Sequence, residues 1–348
     1  MRIVHEITIN GFKSIEHAKV LLGDINVLIG ANGSGKTNLI GAFRLIERVF
    51  SKKLEMYVGS DPDRVLHHGR KKTPVLNLAL RFEEGFYKLT LAAQENRLIF
   101  VQEEAESVRG DGFSIGGQGH AESGVNDDWM PNLFSTLRSS FVYDFQDSSD
   151  SSPAKQTCRI DDNRALRPNA ENLAAYLYLL QQKHPVNFRH IEEHIRLVAP
   201  FFDRFLLAPL AQNERSIKLE WAHKNSDAYF DAYSFSDGTL RFICLATLLL
   251  QPEPPALILL DEPELGLHPF ALKMLAEMIE AAASKSQIIL ATQSVTLLNN
   301  FSLKDVVVVE HDNTKSSFKR LDETALTHWL EEFNLGELWE SNVLGGRP

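Results

Sequence analysis

Apolar and polar residues alternate over "IVHEITI" (3–9), a turn follows in "NGFKSI" (10–15), and "INVLIG" (25–30) is a short apolar run closed by glycine. This pattern predicts two strands within residues 1–30. The period then changes: Leu39, Ile40, Phe43, Ile46, Val49 and Phe50 recur at helical spacing and predict an amphipathic helix over 38–50. Alternation returns in "VLNLALRF" (75–82), "FYKLTLAA" (86–93) and "RLIFVQ" (97–102), which predicts an antiparallel meander. Residues 103–128 are acidic and then rich in Gly and Ser, which predicts a long loop; 147–157 is a second polar break. Residues 171–206 predict helices divided at Pro185. Beyond them the pattern predicts a helix at 238–251, a buried strand in "PALILL" (255–260), a helix at 269–284, and strands in "SQIILAT" (286–292) and "DVVVVEH" (305–311). No apolar heptad persists for three repeats, so no long coiled-coil arm is expected.

The 348 residues, 44% hydrophobic and 24% charged, give room for a large core in two lobes and fit a soluble protein. No apolar run approaches the roughly 20 residues that span a bilayer. The first residues alternate like a strand rather than a leader, so a cytoplasmic protein without a membrane partner is expected. The two cysteines, Cys158 and Cys244, stand in no metal-ligand spacing and fit a reducing compartment. A net charge of −10 disfavours a protein coated in nucleic acid but leaves room for a local basic patch. The one dense basic cluster is "HHGRKK" (67–72), which suits either a nucleic-acid backbone or a solvated turn; no aromatic residue interleaves with it for base stacking. His190 and His194 stand four apart on one helix face, and with no third ligand in view they read as surface histidines.

Chemistry concentrates in three places. "GANGSGKT" (30–37) matches G-x-x-x-x-G-K-[ST] between an apolar strand and an amphipathic helix. Its glycines let backbone N–H groups fold around phosphate oxygens, and the helix N-terminus adds partial positive charge. Gly30, Ala31, Asn32, Gly33, Ser34, Gly35 and Asn38 form or flank that cradle, Lys36 reaches the outer phosphates, and Thr37 holds Mg²⁺. The strand in "ALILLDEPELGLHP" (256–269) delivers Asp261 and Glu262 to its carboxyl end, where open α/β sheets bind ligands. Asp261 there suits the Mg²⁺ shell and Glu262 suits a general base that polarises water. The third place is "YSFSDGTLRF" (233–242): Ser236, Asp237, Gly238 and Thr239 precede a helix. That turn reads either as a second anion-binding N-terminus or as an ordinary N-cap.

In this order "NGFKSI", "GANGSGKTN", "FSDGTLRF", "LILLDEPELGLHP" and "ATQS" resemble the ABC class of ATPases, within it the RecF/SMC-like group with its OLD-type relatives. The closing "LGELWESNVLGG" resembles the ends of stand-alone predicted ATPases of the AAA kind in that group, which carry neither a coiled-coil arm nor a nuclease domain. The resemblance anchors residues 1–50 and 230–300 and is loose between them. It implies an α/β P-loop NTPase head with a mixed central sheet, an antiparallel β lobe and a helical lobe. The nucleotide-binding core is expected over 1–145 plus 230–348, and a mainly helical lobe over 146–229.

The resemblance also implies ATP and Mg²⁺ as cofactors and a homodimer that sandwiches two ATP molecules. Ser236, Asp237 and Gly238 would then serve the γ-phosphate bound by the second subunit, not their own. Gln293 in "ATQS" takes the place where many ABC proteins carry a γ-phosphate-sensing histidine; a glutamine hydrogen-bonds but does not titrate. Gln146 in "VYDFQDSS" is placed like the Q-loop glutamine that contacts Mg²⁺. Lys13 in "NGFKS" reads as a phosphate contact or a solvated lysine. Leu265, Gly266, Leu267 and His268 would form the D-loop along the dimer seam, His268 in a structural role.

Two functions remain open. One is an ATP-driven dimer that acts as a switch in DNA-associated processes such as repair, maintenance or anti-phage defence. The other is the ATPase subunit of a multi-protein defence or toxin–antitoxin assembly whose effector is a separate chain, because only about 50 residues follow "ATQS", too few for a further catalytic domain. A transporter ATPase lacks support, since no aromatic stacking site precedes the phosphate loop. A metabolic kinase would leave the 236–239 turn and "DEPELGLHP" unexplained.

Overall fold

The computed structural model describes residues 3–83, 85–107, 112–114, 119–125, 141–147, 149–321, 326, 328–329 and 331–347. They fall into two compact units, one of Met1–Val142, Pro255–Asp261 and Ser286–Pro348, the other of Tyr143–Pro254 and Glu262–Lys285.

In chain order the first unit begins with β1 (Glu6–Phe12), β2 (Ile15–Leu21), β3 (Ile25–Ile29), α1 (Lys36–Phe50) and α2 (Leu54–Val58). β4 (Val75–Arg81), β5 (Gly85–Gln94), β6 (Arg97–Ser107), β7 (Gly112–Ser114) and β8 (Phe141–Tyr143) follow. Strands β1, β2 and β4–β7 form an antiparallel sheet in the order β2-β1-β4-β5-β6-β7. Period-two alternation sends Ile7 and Ile9 of β1 inward and leaves Glu6, Thr8 and Asn10 partly exposed. The chain returns to this unit with β15 (Leu257–Asp261), β16 (Gln287–Ala291), α7 (Val295–Leu298), β17 (Val306–His311), β18 (Ser316–Arg320) and α8 (Leu335–Glu340).

A second sheet runs β18-β17-β3-β16-β15-β8. Strands β17, β3, β16 and β15 pair in parallel and β18 pairs antiparallel to β17, so the sheet is mixed. β3 and β16 are buried along their whole length, as apolar runs covered on both faces must be. All six apolar positions expected on the α1 face are buried, in one core cluster with residues from both sheets. Buried Gln287 is fully engaged: its Oε1 accepts from Val4 N (2.9 Å) and its Nε2 donates to Val4 O and Gly23 O (both 2.8 Å). A polar residue at the start of an apolar strand is thus satisfied, and it pins the chain ahead of β1.

The second unit carries β9 (Cys158–Arg159), α3 (Leu173–Lys183), α4 (Pro185–Val198), β10 (Phe202–Phe205), β11 (Pro209–Leu210) and β12 (Asn213–Ile217). It continues with β13 (Glu220–His223), β14 (Tyr229–Asp231), α5 (Asp237–Leu250) and α6 (Pro269–Ala282). Its strands form two small sheets, β10-β13-β14 and β11-β12-β9. α5 packs against both α4 and α6. Among the described residues no helix is long and apolar enough to cross a membrane, and the longest, α1, has 15 residues.

Four expectations change. Residues 1–30 hold three strands, because "IEHAKVL" (15–21) forms β2 at a sheet edge, where only part of one face is buried. The acidic stretch after 102 is not loop: β6 runs to Ser107 and pairs with β7. There Glu103 and Ala105 alternate inward, and the buried Glu103 carboxylate accepts from Tyr87 Oη (2.6 Å), Ser123 Oγ (2.5 Å) and Gly124 N (2.9 Å). Of the rest of the expected loop, 119–125 form neither strand nor helix, and 108–111, 115–118 and 126–128 lie outside the described residues. The helix expected to reach 206 ends at Val198, where Ala199-Pro200 disfavours helical backbone and Phe202 and Phe205 turn inward as a strand. Finally, residues 230–254 and 262–285, expected with the nucleotide-binding core, cluster with 143–229, because α5 packs on both α4 and α6.

Candidate functional site

The phosphate loop leaves β3 at its carboxyl end and enters α1 through Gly35, whose φ of 111° no side chain favours. No side chain caps that helix start, and a helix N-terminus is where an anion finds amide donors and partial positive charge. Lys36 is 5% exposed, and its Nζ donates to the carbonyls of Gly30 (2.6 Å) and Ala31 (3.0 Å) across the mouth of the loop. The Ser34 hydroxyl is 3% exposed and has no hydrogen-bond partner among the described residues. A buried hydroxyl in that state is costly unless something else satisfies it, and a phosphate oxygen is a matching acceptor. The loop residues therefore fit a nucleotide phosphate.

Strand order gathers the remaining groups. β16 lies between β3 and β15, with Ala291 opposite both Leu28 and Asp261. Because the three strands are parallel, their carboxyl ends carry the phosphate loop, Gln293 two residues beyond β16, and Asp261 along one edge. Thr37 Oγ1 donates to Asp261 Oδ1 at 3.3 Å. A hydroxyl and a carboxylate side by side are hard oxygen ligands of the kind Mg²⁺ takes. Glu262, the next residue, has a φ of 47°, a left-handed backbone that a non-glycine residue adopts at a cost.

"NGFKS" meets the loop through a residue that the motif reading passes over. Ser14 Oγ accepts from Asn38 Nδ2 (2.7 Å) and is hydrogen-bonded to Ser316 Oγ (2.7 Å), and Ser316 N donates to Ser14 O (2.8 Å). This chain of polar contacts ties the β1–β2 turn and the start of β18 to the first turn of α1. Lys13 points elsewhere. Its Nζ lies over the Phe12 ring, 5.4 Å from the centroid, and a methyl added at Gly41 would stand 3.5 Å from it, more than one helical turn beyond Lys36. Burial, then the charges of Arg44 and Arg64, lower the Lys13 pKa. In "HHGRKK" three members are engaged within the unit: His67 Nδ1 with Lys13 O (2.7 Å), His68 Nε2 with Thr314 O (3.2 Å), and Arg70 in an ion pair with Asp63 (3.0 Å).

In the second unit the 233–242 turn is built on an aromatic stack. Phe235 is buried and stacks on Trp221 at 4.6 Å and 17°. Ser236, exposed, caps α5: its Oγ accepts from Thr239 N (3.2 Å) and is hydrogen-bonded to Thr239 Oγ1 (2.8 Å). The N-cap reading is thus realised in the structure, and a hydroxyl that accepts from an amide still has a proton to give. At Gly238 the turn touches the 265–268 loop so closely that a methyl would lie 2.1 Å from Gly266 O. Arg241, which the motif reading does not single out, donates from Nε to Phe145 O (3.1 Å) and from Nη2 to Gln146 O (3.0 Å). Burial lowers its pKa, with carboxylates around it opposing the effect. Gln146 is thereby held by its backbone beside the start of α5. His268 caps α6 by accepting from Phe270 N at 3.3 Å. His194 Nδ1 is hydrogen-bonded to His190 O (2.8 Å), within its own helix.

Residues 79–299 match the family described as "AAA domain, putative AbiEii toxin, Type IV TA system", and residues 1–109 match "AAA ATPase domain". Among solved structures, a crystal structure of the SMC head bound to the C-winged helix domain of ScpA aligns with a TM-score of 0.64 at 16% identity, over 94% of this chain and 100% of that one. The Smc head with an extended coiled coil bound to the C-terminal domain of ScpA, from Pyrococcus furiosus, gives 0.61 at 15%, over 95% and 99%. The Smc head with a coiled coil and joint from Pyrococcus yayanosii gives 0.57 at 12%, over 95% and 99%. At these identities the likeness is one of fold. The family model matched over 79–299 makes the chain a member of that AAA-domain family, with a fold similar to that of SMC head domains.

Proposed function

We propose that this chain binds and hydrolyses ATP and closes as a homodimer around two ATP molecules, acting as a switch in a DNA-associated process. Membership of an AAA ATPase family supports ATP binding and ATPase activity. The observation that carries the switch is the contact between Gly238 and Gly266, which joins the Ser236 turn to the 265–268 loop in one surface. On that surface Leu265 and Phe270 are 41% and 46% exposed, as suits a seam between two copies.

The residues divide the work as follows. Lys36, the Ser34 hydroxyl and the first amides of α1 bind the phosphates. Thr37 and Asp261 hold Mg²⁺. Glu262 takes the proton from the attacking water, and Gln293 orients that water or the γ-phosphate by hydrogen bonding. ATP with Mg²⁺ supplies the scissile phosphoryl bond and the charge neutralisation at it. Ser236 and Gly238 complete the site of the partner copy, so their hydrogen bonds exist only while the γ-phosphate does. Asp237, first in α5, adds its carboxylate to the helix start, and Gln146 is assigned a supporting contact to Mg²⁺, while Lys13, whose ammonium lies over the Phe12 ring, is not assigned to the phosphate.

The DNA part rests on the resemblance of the motifs to the RecF/SMC-like group. The second reading is a subunit of a protein assembly. It is favoured by the exposed aromatic pair Trp329 and Phe333, 6.0 Å apart, and by the ScpA domain seen on the SMC head.

Phosphate release from ATP tests the catalytic core. The wild type is expected to turn over with Mg²⁺, Lys36→Ala to lose nucleotide binding, and Glu262→Gln to bind ATP but turn over about 10²–10⁴-fold more slowly. Unchanged turnover in Glu262→Gln would remove the assigned base.

A further inference from the structure

The closing stretch "LGELWESNVLGG" (335–346) has no part in the phosphate, Mg²⁺ or signature motifs, yet the fold brings its end to the phosphate loop. Gly30, where β3 gives way to the loop, sits against β17 so tightly that a methyl there would lie 2.1 Å from Val309 O. Gly346 packs on the same spot. A methyl at 346 would stand 3.5 Å from Gly30 Cα, 3.3 Å from Val309 O and 2.7 Å from Val308 Cγ1. Its φ of 60° is left-handed, so both backbone shape and space call for glycine.

Both polar backbone groups of Gly346 are anchored. Its N–H donates to Glu310 Oε1 at 2.9 Å, and its carbonyl accepts from Trp339 Nε1 at 2.6 Å. Trp339 is 0% exposed. It lies in α8, which Asn334 and Glu337 cap reciprocally. α8 packs on α7 so closely that a methyl at Gly336 would meet Val295 Cγ1 at 2.4 Å, and Gly336 N donates to Asn299 Oδ1 at 2.7 Å. α7 in turn starts at the residue after Ser294, its N-cap, which follows Gln293 directly. One segment therefore grips the strand-end turn that carries Gln293 and, at its far end, the first glycine of the phosphate loop.

We propose that residues 335–346 form a brace of the nucleotide site, with Trp339, Glu310 and Gly346 as positioning residues that hold the phosphate-loop backbone in its anion-binding shape. This rests on the reading of Gly30–Thr37 as a nucleotide phosphate site. Amide donors bind an anion only when they converge on it, so a loop released at Gly30 loses affinity before the protein loses its fold.

The test is calorimetric titration of the full chain with ADP, beside thermal unfolding, for the wild type, Gly346→Val, Trp339→Phe and Leu89→Ala. Leu89 is buried in the antiparallel sheet and serves as a destabilised control. Gly346→Val is expected to raise the ADP dissociation constant about tenfold or more. Trp339→Phe keeps a ring but drops the N–H donor, and is expected to raise it several-fold. Leu89→Ala should lower the unfolding midpoint yet leave ADP affinity within about twofold. If Gly346→Val does not fold, Trp339→Phe decides. The brace is overturned if both closing-segment variants bind ADP like the wild type, or if affinity follows the unfolding midpoint in all variants, the control included. If the wild type binds no ADP, the nucleotide reading itself fails and the brace with it.

Discussion

Thr37 Oγ1 donates a hydrogen bond to Asp261 Oδ1 at 3.3 Å across 224 residues of sequence. Parallel pairing of β3, β16 and β15 brings them together by setting the carboxyl ends of the three strands level. The proposed function has this hydroxyl and carboxylate act on one cation. Thr37→Val and Asp261→Asn are each expected to raise the Mg²⁺ concentration for half-maximal ATP turnover by about tenfold or more. The double variant should be little worse than the poorer single, because the two residues act as a unit. Phosphate release followed against Mg²⁺ concentration checks this, and fully additive losses would separate the pair.

Ser236 has two roles that substitution can part. As the N-cap of α5 it accepts from Thr239 N, so Ser236→Ala should cost about 1 kcal/mol of stability, read from denaturant unfolding. Ser236→Asp keeps a capping oxygen and should stay near wild-type stability. Both variants should fail to associate in ATP, the aspartate more completely because its charge opposes a phosphate. Association of Ser236→Asp like the wild type would leave Ser236 a cap and nothing more.

Glu262, the proposed general base, holds a left-handed backbone with φ 47°. Glu262→Gly should accordingly be more stable than Glu262→Ala by about 1 kcal/mol, with hydrolysis lost in both. Chemical unfolding of the two variants measures the difference; alanine equal to or better than glycine would contradict it.

The turn between β17 and β18 gives a pH signature. Asp312 accepts from Thr314 Oγ1 (2.6 Å) and from the backbone N–H of Thr314 and Lys315, and these bonds lower its pKa to about 2. A carboxyl depressed in the folded state stabilises it above the unfolded pKa and loses that contribution as pH falls through the folded value. The gap in unfolding midpoint between wild type and Asp312→Asn should be widest above about pH 4 and close towards pH 2. A gap that does not change over that interval would contradict the assignment.

The phosphate-loop pattern is legible because its residues are contiguous, and Gly30–Thr37 join β3 to α1 as the spacing predicts. Asp261 was readable for a related reason: an apolar run such as "ALILL" has one carboxyl end, and ligands collect there. The Ser14–Ser316 link was not readable, since the two residues are 302 apart and each is an ordinary serine in its own neighbourhood. Arg241 escaped notice because its partners are the carbonyls of residues 145 and 146, which leave no mark in side-chain pattern. Glu103 was misleading: its charge suggested a solvated loop, while its alternation with Ala105 already carried the strand. In "FFDRFL" the aromatic residues suited a helix face and a strand equally, and Pro200 was the local signal that separated them. The closing "LGELWESNVLGG" was legible as a motif only, since its contact with Gly30 depends on how α8 and β17 pack.

The most direct measurement is the mass in solution of Glu262→Gln, with and without ATP and Mg²⁺. A chain that is monomeric alone, becomes dimeric with ATP and Mg²⁺, and stays monomeric when Ser236→Arg is added is the predicted result. A mass indifferent to ATP, or an ATP-dependent dimer that tolerates Ser236→Arg, would contradict a site shared between two copies.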